Sequence, residues 1–325
     1  MTNPLEELLQ SREIILLDGA TGTFLMNAGL TQGAPPEVWN VEHPERILEM
    51  HHAYVDAGAG LILTNTFGGS AYRLKLHNLE NEVYCLNKAA AELARQVADS
   101  ADHLVAVAGS IGPSGELFEP MGQMSFEGAI EAFAEQARGL HDGGVDVFWI
   151  ETMSDLQEVE AAVLGARNVS DRPICASMTF DTNGHTMMGV SPKEAMMAMK
   201  EWGLLAIGAN CGNGPEEIEA VIHTMRQIDV TIPLIAKSNA GIPEWVNNEL
   251  SYSGTPEVMG QYAHRVRSLG ARLIGGCCGN SPLHVAAMAL ALSEPATTET
   301  IVPRGIAVGA SADSPPRERR RRRRV

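Results

Sequence analysis

The stretch Ala271–Asn280, ARLIGGCCGN, joins a short apolar run to two glycines, two adjacent cysteines and a further glycine. Such a run is typical of a buried strand that ends in a tight turn, where a β-carbon would obstruct the backbone. Adjacent thiols at a strand end fit three descriptions: a vicinal disulfide, two small buried side chains, or two ligands of a soft metal such as Zn²⁺. The pair alone does not choose between them.

A second glycine-rich strand end, Ala206–Gly214 (AIGANCGNG), supplies another thiol, Cys211. With Cys277 and Cys278 it gives three thiolates for one tetrahedral metal, which leaves a fourth position open for a substrate. An open position is the pattern of a catalytic zinc rather than a structural one. The sequence therefore favours a catalytic zinc site built from these three cysteines.

Eight short apolar runs recur along the chain, and a helical pattern follows each of them. The predicted strands are Ile14–Ala20, Leu61–Phe67, Leu104–Gly109, Val145–Thr152, Ile174–Phe180, Leu204–Cys211, Leu234–Asn239 and Leu273–Cys277. The predicted helices are Pro44–Ala57, Asn81–Asp99, Phe126–His141, Asp155–Asn168, Pro192–Trp202, Pro215–Ile228, Pro256–Leu269 and Pro282–Leu292. Strands that alternate with helices predict a parallel sheet, and eight repeats predict a closed (β/α)₈ TIM barrel of the α/β class. An open doubly wound sheet is disfavoured because no GxGxxG segment follows the first strand.

Polar and metal-binding residues lie at the C-terminal ends of six predicted strands. They are Asp18, Thr64, Asn65, Glu151, Asn210, Cys211, Asn239, Cys277 and Cys278. Active sites of such barrels lie at this end of the strands. The sequence therefore predicts a single active site on this rim of the barrel.

Two of the rim carboxylates each have two explanations. Asp18 fits a helix cap, or a group in a ligand site where Gly19 and Gly22 let a carboxylate approach the backbone amides. Glu151 follows an apolar strand, and a buried carboxylate needs a cationic partner. A substrate ammonium and a rim ion pair with an Arg or Lys would serve equally well. His51 and His52 lie in a helical pattern and are expected at the surface.

Composition limits the class of protein. A chain of 325 residues with 45% apolar content can bury a large core. Its five cysteines are sparse and odd in number, which favours a reducing compartment over a secreted disulfide scaffold. The N-terminal sequence lacks the basic and then apolar pattern of a signal peptide, and no apolar run approaches the ~18 residues of a membrane span. We expect a cytoplasmic protein.

The formal net charge of −16 is unevenly spread, because the C-terminal PPRERRRRRRV holds seven arginines. An acidic body repels nucleic acids and membrane surfaces, so neither is expected as a partner. An Arg run on a Pro/Ser/Ala-rich segment is typical of a solvated, disordered end. We expect residues 1–295 to form the barrel and residues 296–325 to form a Pro/Arg-rich disordered tail.

Six motifs at the predicted strand ends resemble, in order, those of the zinc-dependent homocysteine S-methyltransferases. They are DGATGT from Asp18, NTFGG at Asn65–Gly69, IET at Ile150–Thr152, GANCGNGP at Gly208–Pro215, SNAGIP at Ser238–Pro243 and GGCCG at Gly275–Gly279. The single cysteine followed by GGCC is the most specific of these signals. The family includes the betaine–homocysteine methyltransferases, whose bacterial members the stretch Pro35–Ala59 and the following TNTFGG resemble, and the homocysteine module of cobalamin-dependent methionine synthase.

The resemblance implies a TIM barrel that binds Zn²⁺ through Cys211, Cys277 and Cys278, with Asn239 as a candidate fourth ligand. The homocysteine thiolate would take the open position, activated by the metal for attack on a methyl group, and the product would be methionine.

The remaining substrate contacts are also implied by the resemblance. Asp18 and Glu151 would hold the homocysteine amino group. Backbone amides at Gly19, Ala20 and Thr21 would hold its carboxylate. Asn65, on the same rim, is included in the substrate site.

The methyl donor is expected to be a small onium compound, with glycine betaine favoured over the alternatives. Trp39 and Phe67 are the best-placed aromatic residues for a cation–π cage. Thr152 stands where the animal betaine enzymes carry a tyrosine. A sulfonium donor (S-methylmethionine or dimethylsulfoniopropionate) and methylcobalamin on a partner corrinoid protein therefore stay open, as does a homo-oligomeric state.

Two other classes of protein compete with this interpretation. A zinc hydrolase favours His and carboxylate ligands, whereas no histidine lies at a predicted strand end. A non-enzymatic, structural-zinc binding protein needs a fourth closing ligand. Cys175 begins its strand and Cys85 lies in a helical stretch, so neither is placed to close the site.

Overall fold

The computed structural model describes residues 3–246 and 249–295, so the predicted tail at 296–325 lies outside the described residues. Ten strands lie in the described part of the chain. They are β1 (Ile15–Leu16), β2 (Leu61–Leu63), β3 (Ala106–Ile111), β4 (Val147–Met153), β5 (Ile174–Met178), β6 (Ala206–Cys211), β7 (Leu234–Ser238), β8 (Pro243–Val246), β9 (Glu249–Tyr252) and β10 (Ala271–Gly276). All eight predicted strands are present, although β1 and β2 are shorter than predicted.

Eight of the strands form one parallel sheet in the order β1-β10-β7-β6-β5-β4-β3-β2. The sheet closes because Leu17 pairs in parallel with Leu61, and because the Gly60 amide donates to the Leu16 carbonyl at 2.8 Å. The predicted (β/α)₈ TIM barrel is therefore confirmed. The remaining two strands, β8 and β9, form an antiparallel hairpin that was not predicted.

Helices alternate with the barrel strands and cover the outside of the sheet, except α1, which precedes β1 and packs against the inner cluster. They are α1 (Pro4–Ser11), α2 (Thr21–Asn27), α3 (Trp39–Glu42), α4 (Pro44–Asp56), α5 (Ala71–Lys75), α6 (Val83–Ser100), α7 (Phe126–Asp142), α8 (Leu156–Arg167), α9 (Pro192–Glu201), α10 (Pro215–Ile228), α11 (Pro256–Ser268) and α12 (Pro282–Ser293). The eight predicted helices correspond to α4 and α6–α12. Local chemistry sets their starts: at α9, Ser191 and Glu194 form a reciprocal capping box directly before Pro192. None of these helices is long and apolar enough to cross a membrane.

The core has two layers that follow the alternation of side chains along each strand. In β4, Val147 and Trp149 belong to the cluster inside the barrel, whereas Phe148 and Ile150 pack towards the helices. Leu5 and Leu8 of α1 belong to the inner cluster. The interior is thus filled by side chains, and the polar rim is left as the place for a site.

The expectation that His51 lies at the surface is wrong. Its side chain is fully buried in α4, whereas that of His52 is exposed. His51 lies one turn after Ile47 and one residue after Met50, both of which are buried, so the helical period carries it inward. Burial lowers the pKa of His51 to about 3, which keeps the imidazole neutral.

We predict that Gly208→Ala destabilises the barrel. A β-carbon at Gly208 would lie 2.0 Å from the Ile235 carbonyl oxygen of the neighbouring strand, so β6 and β7 would have to separate. The free energy of unfolding, measured by urea denaturation, should fall by about 1–3 kcal/mol. The matched control is Gly22→Ala, because a β-carbon at Gly22 in α2 meets no atom within 4 Å. Equal stability of the two variants would contradict this account of the strand contact.

Candidate functional site

The three predicted cysteines meet at one point on the rim. Cys211 ends β6, and Cys277 and Cys278 follow β10; these two strands flank β7 in the sheet. All three sulfur atoms lie within 4.8 Å of one another, and the Sγ atoms of Cys211 and Cys277 are 2.9 Å apart. Among the described residues, no other group of three or more His, Cys, Asp or Glu side chains brings its ligand atoms this close.

The backbone around the cluster is unusual and is held by side chains. Cys211 has a φ of 61°, a left-handed conformation that non-glycine residues seldom adopt. The Asn239 amide ties the two cysteine-bearing turns together: its Nδ2 donates to the Gly212 carbonyl at 2.8 Å, and its Oδ1 accepts from the Cys278 amide at 3.0 Å. Asn239, a candidate fourth ligand, therefore serves in this structure as a brace between the turns.

Two polar side chains contact the sulfur atoms directly. Asn210 Nδ2 lies 3.6 Å from the Cys211 sulfur and 3.9 Å from that of Cys277. The Tyr252 hydroxyl, at the end of the β8–β9 hairpin, hydrogen-bonds to Cys278. Hydrogen bonds from Cys211, Cys277 and Tyr252 lower the pKa of Cys278, so the cluster concentrates negative charge on that sulfur.

A buried cation lies between the two predicted carboxylates. Lys237 Nζ is 3.3 Å from Asp18 Oδ1 and 4.0 Å from Glu151 Oε2, and the lysine side chain is 3% exposed. The other carboxylate oxygens have their own donors: Asp18 Oδ2 accepts from the Leu63 amide at 2.7 Å, and Glu151 Oε1 from the Ser110 hydroxyl at 2.6 Å. The rim ion pair that the sequence left open is therefore present.

This group holds two carboxyl groups but only one ammonium. Burial raises the pKa of Glu151 to about 7, although the Lys237 charge opposes the shift. Burial also raises the pKa of Asp18, against the same opposing charge. Burial alone would lower the pKa of Lys237, but the two carboxylates raise it above its ordinary value, so the ammonium is charged. Two carboxylates with one ammonium leave room for a further cation beside Glu151 Oε2.

Lys237 was missed in the sequence, although the alternation of β7 could have found it. Ile235 belongs to the cluster inside the barrel, and the residue two positions later points to the same side of the strand. A lysine at that position must therefore enter the barrel near its rim, where only carboxylates can compensate its charge.

A cavity of about 450 Å³ opens above the thiols and falls within the usual size range for small-molecule pockets. Its inner part is lined by the three thiols, Glu151 and Lys237. The predicted residues Gly19, Ala20, Thr21, Asn65, Phe67 and Thr152 also line it. Sequence analysis did not single out the lining residues Glu37, Arg73, His77 and Tyr252.

Other predicted residues have different places. Asp18 lies behind the wall and acts on the cavity through Lys237. Trp39 does not line the cavity; its ring packs edge-on against His43 with 4.9 Å between the centroids. Asn65 lines the cavity, but its Nδ2 donates to the Pro36 carbonyl at 2.8 Å.

The turn after β1 lies close to the turn after β10. This contact engages one of the backbone amides that were predicted to bind the substrate carboxylate. The Ala20 amide donates to the Asn280 carbonyl at 2.9 Å and is therefore not available to a ligand. A β-carbon at Gly19 would lie 2.4 Å from the same carbonyl oxygen, so only glycine fits this approach. Thr21 and Gly22, which begin α2, line the cavity with amides that have no partner within their helix.

Known proteins with similar sequences include methionine synthases. The chain is 32% identical over 320 residues to the methionine synthase of Mycobacterium leprae (strain TN) and 33% identical over 300 residues to that of Mycobacterium tuberculosis (strain ATCC 25618 / H37Rv). These alignments cover 94% and 87% of this chain but 26% and 25% of the relatives. The chain thus spans about a quarter of the length of the curated relatives it matches.

Solved structures of the homocysteine methyltransferase MmuM from Escherichia coli are similar over the whole barrel. The oxidized form has a TM-score of 0.75 at 27% identity, and the metallated form has a TM-score of 0.74 at 26% identity. Each similarity covers 89% of this chain and 99% of the other. The family described as homocysteine S-methyltransferase matches residues 15–292, which include every barrel strand and all three clustered cysteines. The chain therefore belongs to the homocysteine S-methyltransferase family.

Proposed function

We propose that this protein transfers a methyl group from a small onium donor to the thiol of homocysteine, giving methionine, and that the favoured donor is glycine betaine. The observation that carries the proposal is the cavity in which three clustered thiols and a buried carboxylate–lysine group face the same small space. An amino acid with a thiol side chain needs a site for its sulfur and a carboxylate for its ammonium group. The thiol cluster and the carboxylate–lysine group offer these two features.

Zn²⁺ fits the three thiols, and we propose Cys211, Cys277 and Cys278 as its ligands. Zn–S bonds of ~2.3 Å in a tetrahedron place sulfur atoms roughly 3.8 Å apart, and the three sulfur atoms already lie within 4.8 Å of one another. The charge on Cys278 and the amide donor of Asn210 suit an all-thiolate site. When bound, zinc supplies Lewis acidity that makes a coordinated thiol a thiolate at neutral pH.

The acceptor is held at both of its charged groups. Its ammonium is proposed to bind Glu151 Oε2, where it completes the charge balance with Asp18 and Lys237. Its carboxylate is proposed to bind the amides of Thr21 and Gly22, together with that of Gly19, rather than the engaged amide of Ala20. These contacts fix the backbone of the amino acid and leave its thiol beside the cysteines.

The methyl transfer is a single displacement that needs orientation rather than a general base. The acceptor sulfur forms the new S–CH₃ bond, and the bond between the methyl carbon and the onium atom breaks with its electron pair on the donor. The donor leaves as a neutral amine or sulfide. The walls of the cavity contribute by holding sulfur and methyl in line.

The donor is an onium compound in this proposal because of Phe67. Its ring lines the cavity and is 40% exposed, so it can receive a cation by cation–π attraction. Trp39 lies outside the cavity, and the cage is therefore smaller than expected. Sulfonium donors and methylcobalamin on a corrinoid partner are the alternatives, and a cytoplasmic location remains part of the proposal.

We predict that Cys277→Ala lowers the zinc content of the purified protein from about one ion per chain to a small fraction. Loss of one of three thiolates removes a ligand and leaves an incomplete site. Zinc is measured by atomic emission after dialysis against a weak chelator. Cys85→Ala is the matched control, because Cys85 is exposed and lies outside the cluster. Unchanged zinc in Cys277→Ala would contradict the three-thiolate site.

The second prediction concerns the reaction itself. Zinc-loaded protein is given homocysteine with glycine betaine, dimethylsulfoniopropionate, S-methylmethionine or methylcobalamin, and methionine is measured. Turnover is expected with glycine betaine above the other three. With 4-mercaptobutanoate, which lacks the amino group, the rate at subsaturating acceptor should fall at least about tenfold because the Glu151 contact is lost. Homocysteine binding without turnover by any donor would contradict the onium-donor proposal, and failure to bind homocysteine would contradict the acceptor.

A further inference from the structure

We infer that the outer part of the cavity binds the methyl donor as a zwitterion, with Arg73 holding an anionic group of the donor and Glu37 facing its cationic group. This inference rests on the proposed function and adds to it, because it assigns a carboxylate-bearing class of donor and two residues that recognise it. The outer part of the cavity is defined here by Glu37, Phe67, Arg73 and His77.

Arg73 is a cation without an acidic partner in bonding distance. It lies on α5, is partly buried and lines the cavity, yet among the described residues its guanidinium makes no hydrogen bond and no salt bridge within 4 Å. By contrast, the similarly buried Arg95 pairs with Asp146 at 2.6 Å. A partly desolvated guanidinium with five free donors matches a carboxylate in shape and charge.

The position of Arg73 is supported by the loop after β3. A β-carbon at Gly115 would lie 3.2 Å from Arg73 Nη1, so the guanidinium rests against this glycine. Gly115 has a φ of 82°, which a side chain would strain. The loop therefore gives the guanidinium a surface to rest on, and none of the described carboxylates, that of the adjacent Glu116 included, lies within 4 Å of it.

Glu37 supplies the opposite charge in the same space. It is 4% exposed and lines the cavity. Its Oε1 accepts from the Gly68 amide at 2.7 Å, while its Oε2 accepts no hydrogen bond from any other residue that the structure describes. Burial raises the pKa of Glu37, and electrostatic attraction to Arg73 and His77 opposes that shift. Glu37 and Arg73 therefore interact electrostatically, although they do not form an ion pair. A carboxylate and a guanidinium that line one cavity without an ion pair within 4 Å are complementary to a dipolar ion.

Phe67 gives the cationic end of this ligand a fixed aromatic wall. A β-carbon at Gly112 would lie 2.7 Å from two ring carbons of Phe67, so the ring packs directly on the Gly112 backbone. Gly68, whose amide bonds Glu37, follows Phe67 in the chain. The turn that carries Phe67 thus also bonds Glu37 through Gly68, and both side chains line the cavity in which an onium group can meet them.

The ligand chemistry follows from these three groups. Glycine betaine, dimethylsulfoniopropionate and S-methylmethionine each combine an onium methyl group with a carboxylate, whereas choline-like cations lack the anion. The selection of donor should therefore depend on the carboxylate as strongly as on the onium group.

The test is a kinetic cycle between Arg73 and the donor carboxylate. Wild-type zinc-loaded protein and Arg73→Met are compared with glycine betaine and with its carboxamide, in which an uncharged amide replaces the carboxylate. In the wild type, kcat/KM for the amide should be at least about tenfold lower than for betaine. With betaine, kcat/KM of Arg73→Met should be lower than that of the wild type by a similar factor. With the amide, kcat/KM of the variant and the wild type should be nearly equal. The KM for homocysteine should stay unchanged. Glu37→Gln should weaken both donors alike, since both keep the onium group.

Lys75→Met is the matched control, because it removes a positive charge from the same helix at an exposed position that does not line the cavity. It should behave as the wild type. The inference would be overturned if the ratio of kcat/KM for betaine to that for its amide were the same in Arg73→Met as in the wild type.

A binding measurement separates this inference from the proposed function. The probe is 3,3-dimethylbutanoate, the unreactive carbon isostere of glycine betaine, titrated calorimetrically into zinc-loaded protein with homocysteine bound. Wild type should bind it at least about tenfold more tightly than Arg73→Met. Equal binding, or no binding to wild type that still binds homocysteine, overturns the inference alone. A wild type that does not bind homocysteine overturns the proposed function.

Discussion

The convergence of three sulfur atoms within 4.8 Å is the constraint on which the rest of the rim depends. It requires β6 and β10 to lie on either side of β7 with their C-terminal ends level, which the parallel order of these strands provides. It also requires Cys211 to adopt a left-handed backbone and Asn239 to brace the two turns. The amide of Asn210 and the hydroxyl of Tyr252 then place donors where thiolate charge accumulates.

Charge in the cavity is arranged in two separate groups. Near the thiols, Asp18 and Glu151 present two buried carboxyl groups to the single ammonium of Lys237. Farther out, Glu37 and Arg73 face the same cavity without touching. The first group suits an ammonium, and the second suits a dipolar ion. Two ligands with different charge patterns can therefore occupy one cavity without exchanging places, which a methyl transfer between them requires.

Much of this arrangement could be predicted from the sequence because it follows from local periodicity. The alternation of apolar runs with helical patterns predicted the barrel, and the strand ends located Cys211, Cys277 and Cys278 before their meeting was known. His51 was misjudged although its spacing from Ile47 already places it on the buried face. The inward orientation of Lys237 could likewise have been predicted, because Ile235, two residues before it on the same strand, belongs to the inner cluster.

Other features depend on tertiary packing and have no local signal. Arg73 has no ion-pair partner because of how the surrounding elements pack, and a sequence does not show which acidic side chains lie near a given cation. The place of Trp39 outside the cavity depends on its packing against the core cluster. The use of the Ala20 amide by Asn280 joins residues 20 and 280, which lie at opposite ends of the barrel sequence.

The most direct test of the central claim is X-ray absorption at the zinc edge, without ligand and with selenohomocysteine added. The account predicts three sulfur neighbours at ~2.3 Å in the resting protein and an additional selenium neighbour when the amino acid is bound. Zinc that shows the same sulfur neighbours in both samples, with no selenium beside it, would contradict the claim that the three cysteines leave an open position for the acceptor.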